Sequence, residues 1–367
     1  MKETVNEIKE IIFVTVSMGG GGTERVISVL ANYYASIGKT VTILMIADNR
    51  IEYKLDDRIE VKAIARATGG NLKSRVERII NLRRNIKEQN GAGVIAMGTV
   101  TAMFTLLATL GLSNNVVISE RNDPNRLNHK PIRRTVKLLR NILYLRAKAI
   151  VLQTEDVKEC FPKCLVKKSV VIPNPLPRDL PCIDESTDRE KTIITAGRLT
   201  EQKNQKLLIR AFGRIVPKYP EYILKIFGRG EMEKELSDMI RECRLEGKVY
   251  LKGFSDNLYC ELAKGGIYVS TSNWEGISNS LAEALAMGIP TIATDCPMGG
   301  SRMLISNGHN GILIPVEDED ALVCAIENYI SDISFRHKVS MKAIELREAL
   351  SEGRIAGKWL ECFEYEK

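Results

Sequence analysis

Histidine is scarce: the 367 residues hold three, His129, His309 and His337. Eight cysteines are present, at 160, 164, 182, 243, 260, 296, 324 and 362, but no Cys-x-x-Cys pair occurs, which excludes zinc-ribbon and thioredoxin-like sites. Cys160 and Cys164 stand four apart and would suit a metal beside a histidine, yet His129 lies 31 residues earlier. Scattered thiols of this kind fit a reducing cytosol. No Gly-x-x-x-x-Gly-Lys-Ser/Thr run is present, which excludes a P-loop. No Asp-x-Asp follows a strand; Asp318 and Asp320 sit in an acidic run that reads as a helix start. The first ten residues are charged and lead straight into a strand, so no signal peptide is expected. One uncharged stretch, 91–119, is long enough to cross a bilayer. Gly91, Gly93, Gly98, Gly111 and Ser113-Asn114-Asn115 divide it instead into strand, helix and strand.

What is there suggests two domains. The length exceeds one small core, and 44% apolar with 27% charged residues is ordinary for a soluble globular protein. The formal charge of +7 is unevenly spread: residues 1–175 carry 28 Lys and Arg against 16 Asp and Glu, and the remainder 25 against 30. Apolar β-branched runs at 11–16, 41–46, 94–96, 116–119, 149–152 and 170–172 alternate with helical patterns. The rhythm restarts at 192–196 and recurs at 222–227, 249–251, 267–270, 291–293 and 312–314. Such alternation means βαβ units and parallel sheets. Pro173-Asn174-Pro175-Leu176-Pro177 interrupts it. The fold expected is α/β, with two doubly wound, Rossmann-like domains at 1–175 and 176–350. A final helix at 351–367 is expected to pack back onto the first domain. Ligands of such sheets bind beyond the carboxyl ends of the strands.

Four motifs fall at strand ends. Gly19-Gly20-Gly21-Gly22-Thr23-Glu24 opens a helix, where free amides and the helix dipole favour an anion; a tight turn without a ligand is the plain alternative. Ala196-Gly197-Arg198-Leu199-Thr200-Glu201-Gln202-Lys203-Asn204 puts two cations beside a helix start, which suits a diphosphate or a solvated basic turn. Gly228-Arg229-Gly230 repeats the strand-end setting. Trp274-Glu275-Gly276-Ile277-Ser278-Asn279-Ser280-Leu281-Ala282-Glu283-Ala284 places Glu275 in a loop, Ser278 or Asn279 as an N-cap and Glu283 inside the helix. Carboxylates so placed accept hydrogen bonds from sugar or ribose hydroxyls. The apolar neighbours of Glu283 argue against a solvated face, and a buried carboxylate needs partners.

Together these residues resemble the retaining glycosyltransferases of family 4, with the two-domain GT-B fold. Gly288-Ile289-Pro290-Thr291-Ile292-Ala293-Thr294-Asp295, Ile172-Pro173-Asn174-Pro175 and Asn310-Gly311-Ile312-Leu313-Ile314 agree. Cys296-Pro297 with Gly299-Gly300 resembles a branch that builds bacterial surface polysaccharide, such as lipopolysaccharide or capsule, on lipid carriers. The resemblance implies transfer of a hexose or N-acetylhexosamine from a nucleotide diphosphate sugar, typically UDP-linked, to a lipid-linked glycan. Two domains facing a cleft are implied, the first for the acceptor and the second for the donor. Arg198 and Lys203 would bind the diphosphate and Glu275 the donor sugar. Glu283 would hold the ribose, Ile277, Ser278 and Asn279 would lend amides, and Gly228 and Gly230 would line the donor site. Gly21 and Gly22 would line the cleft from the acceptor side. No metal and no cofactor beyond the donor substrate are expected. Many relatives place a histidine at a first-domain strand end; here the stretch reads Ser119-Glu120-Arg121-Asn122-Asp123, so Glu120 or Arg121 would stand on the acceptor side, and His129 is expected at the surface. A nucleotide-sugar epimerase of the same fold, or a scaffold that binds donor without turnover, are the alternatives.

The basic excess concentrates in two helical segments. One holds Lys73, Arg75, Arg78, Arg83, Arg84 and Lys87. The other holds Arg126, Lys130, Arg133, Arg134, Lys137, Arg140, Arg146 and Lys148, interleaved with Ile132, Val136, Leu139, Ile142, Leu143 and Leu145. Such a helix either rests on an anionic membrane surface or packs its apolar side inward. With no nucleic-acid motif beside it, a peripheral place on the cytoplasmic membrane face is expected, and no nucleic-acid partner.

Overall fold

β-Branched runs alternating with amphipathic stretches build two sheets of parallel strands, one in each of two units. The computed structural model describes residues 8–47, 49–64, 72–121, 123–127, 130–131, 133–181, 189–255 and 257–364. His129, Cys182 and most of the 184–191 segment lie outside the described residues.

Unit 1 comprises Met1–Pro177 and Leu350–Lys367. It runs β1 (Glu10–Thr15), α1 (Gly22–Ser36), β2 (Thr40–Met45), β3 (Glu60–Ala63), α2 (Leu72–Glu88), β4 (Gly93–Met97), α3 (Thr99–Ala108) and β5 (Val116–Ser119). A two-stranded pair, β6 (Arg126–Leu127) and β7 (Lys130–Pro131), precedes α4 (Arg134–Tyr144), β8 (Ala149–Leu152), α5 (Lys163–Val166) and β9 (Ser169–Val171). The seven-stranded order is β3-β2-β1-β4-β5-β8-β9. β1 and β2 are buried along all but their first residue, β4, β5 and β8 throughout, as strands covered by helices on both faces must be. β3 was not foreseen: it is a half-exposed edge strand whose Glu60 and Lys62 break the apolar run, as edge strands often do.

Unit 2, Arg178–Ala349, runs β10 (Thr192–Ala196), α6 (Gln205–Ile215), β11 (Ile223–Phe227), α7 (Glu233–Glu242), β12 (Val249–Gly253), α8 (Leu258–Lys264) and β13 (Ile267–Ser270). It continues through α9 (Asn279–Ala286), β14 (Thr291–Thr294), α10 (Gly300–Leu304), β15 (Ile312–Ile314), α11 (Glu319–Ser331), α12 (Ile333–Ala343) and α13 (Leu346–Ala349). Its sheet order is β12-β11-β10-β13-β14-β15. Asp318 caps α11, accepting from Ala321 N at 2.8 Å, so the acidic run there does start a helix.

The last helix, α14 (Glu352–Glu364), belongs to unit 1 and packs on α1. Tyr34 donates to Ala356 O at 2.9 Å. Trp359 is wholly buried and Phe363 nearly so; side chains of this size contribute roughly 2–3 kcal/mol each on burial. A Cβ on Gly93 would come within 2.8 Å of the Phe363 ring, so this glycine makes room for α14.

α4 corrects one expectation. Leu138, Leu139, Ile142 and Leu145 are exposed, with Arg133, Arg134 and Arg146 beside them. Arg140, expected among the outward cations, is instead fully buried. Its guanidinium donates to Pro124 O and lies 4.7 Å from the Phe161 ring centroid.

Candidate active site

Both sheets reverse strand order next to their first strand, where doubly wound sheets open a crevice. In unit 2 the reversal lies between β10 and β13. The loops leaving these two strands, 197–204 and 271–278, are bonded to each other. Thr271 Oγ1 donates to Lys203 O and Asn204 O, both at 3.0 Å. Gln202 Nε2 donates to Trp274 O at 2.8 Å, and Asn273 N to Gln202 O at 2.8 Å. Asn204 takes a left-handed φ of 45°, caps α6 and donates to Asn273 Oδ1 at 2.9 Å.

These bonds bring the two charged motifs together. Lys203 Nζ lies 2.7 and 2.6 Å from the carboxylate oxygens of Glu275, and Ser272 Oγ donates to Glu275 Oε2 at 2.7 Å. The Lys203 and Glu275 side chains are 14% and 17% exposed, so the pair is neither a solvated surface bridge nor sealed in the core. A Cβ on Gly197 would stand 3.1 Å from Lys203 Cε; the glycine lets the lysine stem lie over the turn. Arg198 is exposed beside it. Behind the pair, the buried Cys296 thiol is pushed up to about 11, first by burial and then by the Glu275 charge.

α9 begins with Ser278 as its N-cap residue. Ser280 Oγ donates to Ala196 O at 2.9 Å and accepts from Tyr268 at 2.8 Å, which ties the helix start to the end of β10. Glu283 is buried on this helix and accepts from Tyr259 at 3.4 Å. Ile277 and Ser278 are buried and Asn279 half-buried at the helix start. Gly228 and Gly230 lie against the neighbouring turn: a Cβ would stand 1.9 Å from Gly197 O in one case and 2.2 Å from Leu199 O in the other. Packing of backbone on backbone therefore explains both glycines. Gly300 packs the same way on Gly276 O, at 1.7 Å.

In unit 1 the glycine run leaves β1, and Gly21 is the N-cap residue of α1. A carboxylate oxygen of Glu52 would stand 2.5 Å from a Cβ on Gly20, and one of Glu24 2.1 Å from a Cβ on Gly21. Tyr53 donates to Gly21 O at 2.9 Å. Two carboxylates therefore lie against the loop, groups that can accept from hydroxyls.

Glu120 is a second correction. It is buried, accepts from Thr99 at 2.8 Å and from the Tyr144 hydroxyl, and its backbone N donates to Val151 O at 3.0 Å. Burial pushes its carboxyl up, against the hydrogen bond from Tyr144 and the charge of Arg140. Glu120 thus points into the fold and supports the loop. Arg121 bonds Asn174 Oδ1 instead.

Residues 183–346, a little under half of the chain, match the family model "Glycosyl transferases group 1". An uncharacterized glycosyltransferase of Methanocaldococcus jannaschii is 35% identical over 44% of this chain and 43% of its own length, so the chain spans less than half of that relative. A Campylobacter jejuni alpha-1,4-N-acetyl-D-galactosaminyltransferase, named for a glycan on diphospho-undecaprenol, is 25% identical over 96% of this chain and 97% of its own. The crystal structure of Anabaena HepE in complex with UDP and glucose superposes with a TM-score of 0.82 at 18% identity, covering 98% of this chain and 100% of that one. These matches support a GT-B glycosyltransferase.

The unit 2 loops thus gather Arg198, Lys203, Glu275, Ile277, Ser278, Asn279 and Glu283 at the carboxyl end of the sheet, beside β10 and β13. Sequence reasoning missed Thr271, Ser272 and Asn273, the polar run that ends β13 and orients the Glu275 loop. A strand end beside the order reversal was the available signal. Tyr259 had none, because it reaches Glu283 from α8, 24 residues earlier.

Proposed function

We propose that the chain is a retaining, metal-independent glycosyltransferase of family 4. It moves a hexose or N-acetylhexosamine from a UDP-sugar to a lipid-linked glycan during surface-polysaccharide assembly. The observation that carries this reading is the Lys203–Glu275 pair at the β10/β13 reversal, with Arg198 and the start of α9 beside it. Lys203 and Arg198 bind the donor diphosphate and stabilise the charge that grows on it as its bond to the sugar breaks, the effect that dominates many active sites. Glu275 accepts from donor sugar hydroxyls, Glu283 from the ribose, and the amides of Ile277, Ser278 and Asn279 face sugar and phosphate. Gly228 and Gly230 shape the turn that borders the diphosphate, and Gly21 and Gly22 face the acceptor. The acceptor hydroxyl oxygen bonds to the sugar carbon as UDP departs and the hydroxyl proton is released. The diphospho-undecaprenol in the name of the Campylobacter relative supports a lipid-linked acceptor.

Incubation with a panel of UDP-sugars in EDTA tests this reading. Slow release of UDP from at least one donor is expected. UDP should also raise the melting temperature, since a ligand that binds the native state stabilises it by mass action. A thermal shift with UDP but no release from any donor would support a scaffold instead.

We place the enzyme peripherally on the cytoplasmic membrane face through α4. No helix among the described residues is long and apolar enough to cross a membrane. The exposed Leu138, Leu139, Ile142 and Leu145, with Arg133, Arg134 and Arg146, form the face that would meet anionic lipid. Each basic residue near such a surface adds about 1 kcal/mol. Flotation with phosphatidylglycerol vesicles should carry the protein at low salt and lose it as salt rises. Equal flotation with neutral phosphatidylcholine would reject the electrostatic part.

A further inference from the structure

At the carboxyl ends of β5, β8 and β9, three buried polar atoms have no hydrogen-bond partner: Arg121 Nε, Arg121 Nη1 and Gln153 Oε1. They are gathered by one acceptor. Asn174 Oδ1 receives Arg121 Nη2 on one side and Gln153 Nε2, at 2.9 Å, on the other. Two idle guanidinium donors and an idle amide oxygen therefore flank the same atom. The three strands are neighbours in the sheet, and this end of a parallel sheet is where ligands bind. Leaving such groups unpaired costs free energy, more so for a guanidinium. Glu24, at the start of α1, is the charge that favours the Arg121 cation. Burial outweighs it and holds the guanidinium down to about 10. A complementary ligand brings oxyanion oxygens for the idle guanidinium donors and a hydroxyl for Gln153 Oε1.

We infer that Arg121, Gln153 and Asn174 form a sugar-phosphate site in unit 1, with Arg121 on the oxyanion and Gln153 Oε1 accepting from an adjacent hydroxyl. The inference deepens the acceptor-side reading of unit 1 and rests on it. A soluble glycosyl phosphate and the glycosyl diphosphate head of a lipid carrier share this chemistry.

The test is calorimetry on the full chain saturated with UDP, so that the unit 2 diphosphate groups are occupied. The probes are N-acetylglucosamine 1-phosphate, inorganic phosphate, free N-acetylglucosamine, and a short polyprenyl diphospho-N-acetylglucosamine in micelles. The wild type should bind the sugar phosphate more tightly than either fragment. Arg121→Gln should weaken it about tenfold or more, and Gln153→Leu should erase the preference over inorganic phosphate. Gln153→Glu removes the donor to Asn174 Oδ1 and sets a carboxylate beside the idle guanidinium donors at nearly the same size. It should abolish sugar-phosphate binding while UDP still raises the melting temperature, whereas a glutamine with no part in binding would leave the affinity unchanged. This variant also decides the matter should Arg121→Gln fail to fold. Binding of both sugar-phosphate probes supports the head-group chemistry, and binding of the polyprenyl probe alone assigns it to the carrier. No binding of either by the wild type under UDP, as when water fills the site, would overturn the inference. So would unchanged affinity in Gln153→Glu, or equal affinity for sugar phosphate and inorganic phosphate. Failure of UDP release with these results intact would overturn the catalytic reading and leave this site standing.

Discussion

Lys203→Ala lowers kcat by about 10²–10³-fold and leaves the fold in place. The lysine stem lies over Gly197 and its ammonium rests on Glu275, at the strand-order reversal and within 3.5 Å of Ser278 Oγ. On the proposed assignment, removing it takes positive charge from the place where the diphosphate gains negative charge. Because that charge is larger in the transition state than in the bound donor, kcat and kcat/KM should fall together. The cost to stability is moderate. Glu275 loses one partner but keeps the bond from Ser272, so a loss of about 1–3 kcal/mol is expected. A purely structural ion pair makes a different forecast. It would be harmed by stranding Glu275 and repaired by Lys203→Ala combined with Glu275→Ala, which strands nothing. The catalytic assignment expects the double variant to be no more active than the single one. A lysine variant with near-normal kcat, or a double variant that recovers, would sink the diphosphate role.

The legible part of this molecule is what its strands bury. Segments such as 116–119 and 267–270 are enclosed on both faces, and a strand enclosed on both faces writes an unbroken apolar run. β3 is enclosed on neither face, so Glu60 and Lys62 disguise it. The same asymmetry holds for the candidate site. Arg198, Lys203, Glu275 and Glu283 were readable as charges at strand ends and helix starts. The contact between Lys203 and Glu275, 72 residues apart, comes from sheet order, which the run of residues does not spell out. Gly228 and Gly230 show what a motif leaves out: another turn lies on both, at Gly197 O and Leu199 O, a backbone contact that one dimension does not spell out. Arg140 and Glu120 mislead. A charge is read as outward unless something pairs it, and their partners, Pro124 O, Thr99 and Tyr144, arrive from separate elements.

Glu120→Ala destabilises unit 1 by about 3–5 kcal/mol. The substitution leaves the Tyr144 and Thr99 hydroxyls without their acceptor and Arg140 without its neighbouring carboxyl, all in a region closed to water. Trp359 lies in unit 1 and Trp274 in unit 2, so a Trp274→Phe background lets fluorescence follow urea unfolding of unit 1 alone. The expected result is a lower midpoint with an unchanged slope. Glu120→Gln keeps one acceptor oxygen and should cost less, and it supplies the pH test. Burial raises the Glu120 carboxyl pKa, so the native state holds that proton more tightly than the unfolded chain does. The resulting stability is full below the unfolded value, about 4.3, and is lost as pH rises through the native one. The glutamine variant lacks this titration, so wild type minus variant stability should decline with rising pH across that window. A constant difference would mean that the carboxyl titrates alike in both states. α4 thus has two unlike sides: Leu138, Leu139, Ile142 and Leu145 are exposed, while Tyr144 and Arg140 on the inner side bond Glu120 and Pro124 O, and Arg121, next to Glu120, bonds Asn174. Loosening Glu120 should therefore weaken sugar-phosphate binding in unit 1 while leaving UDP binding in unit 2 unchanged.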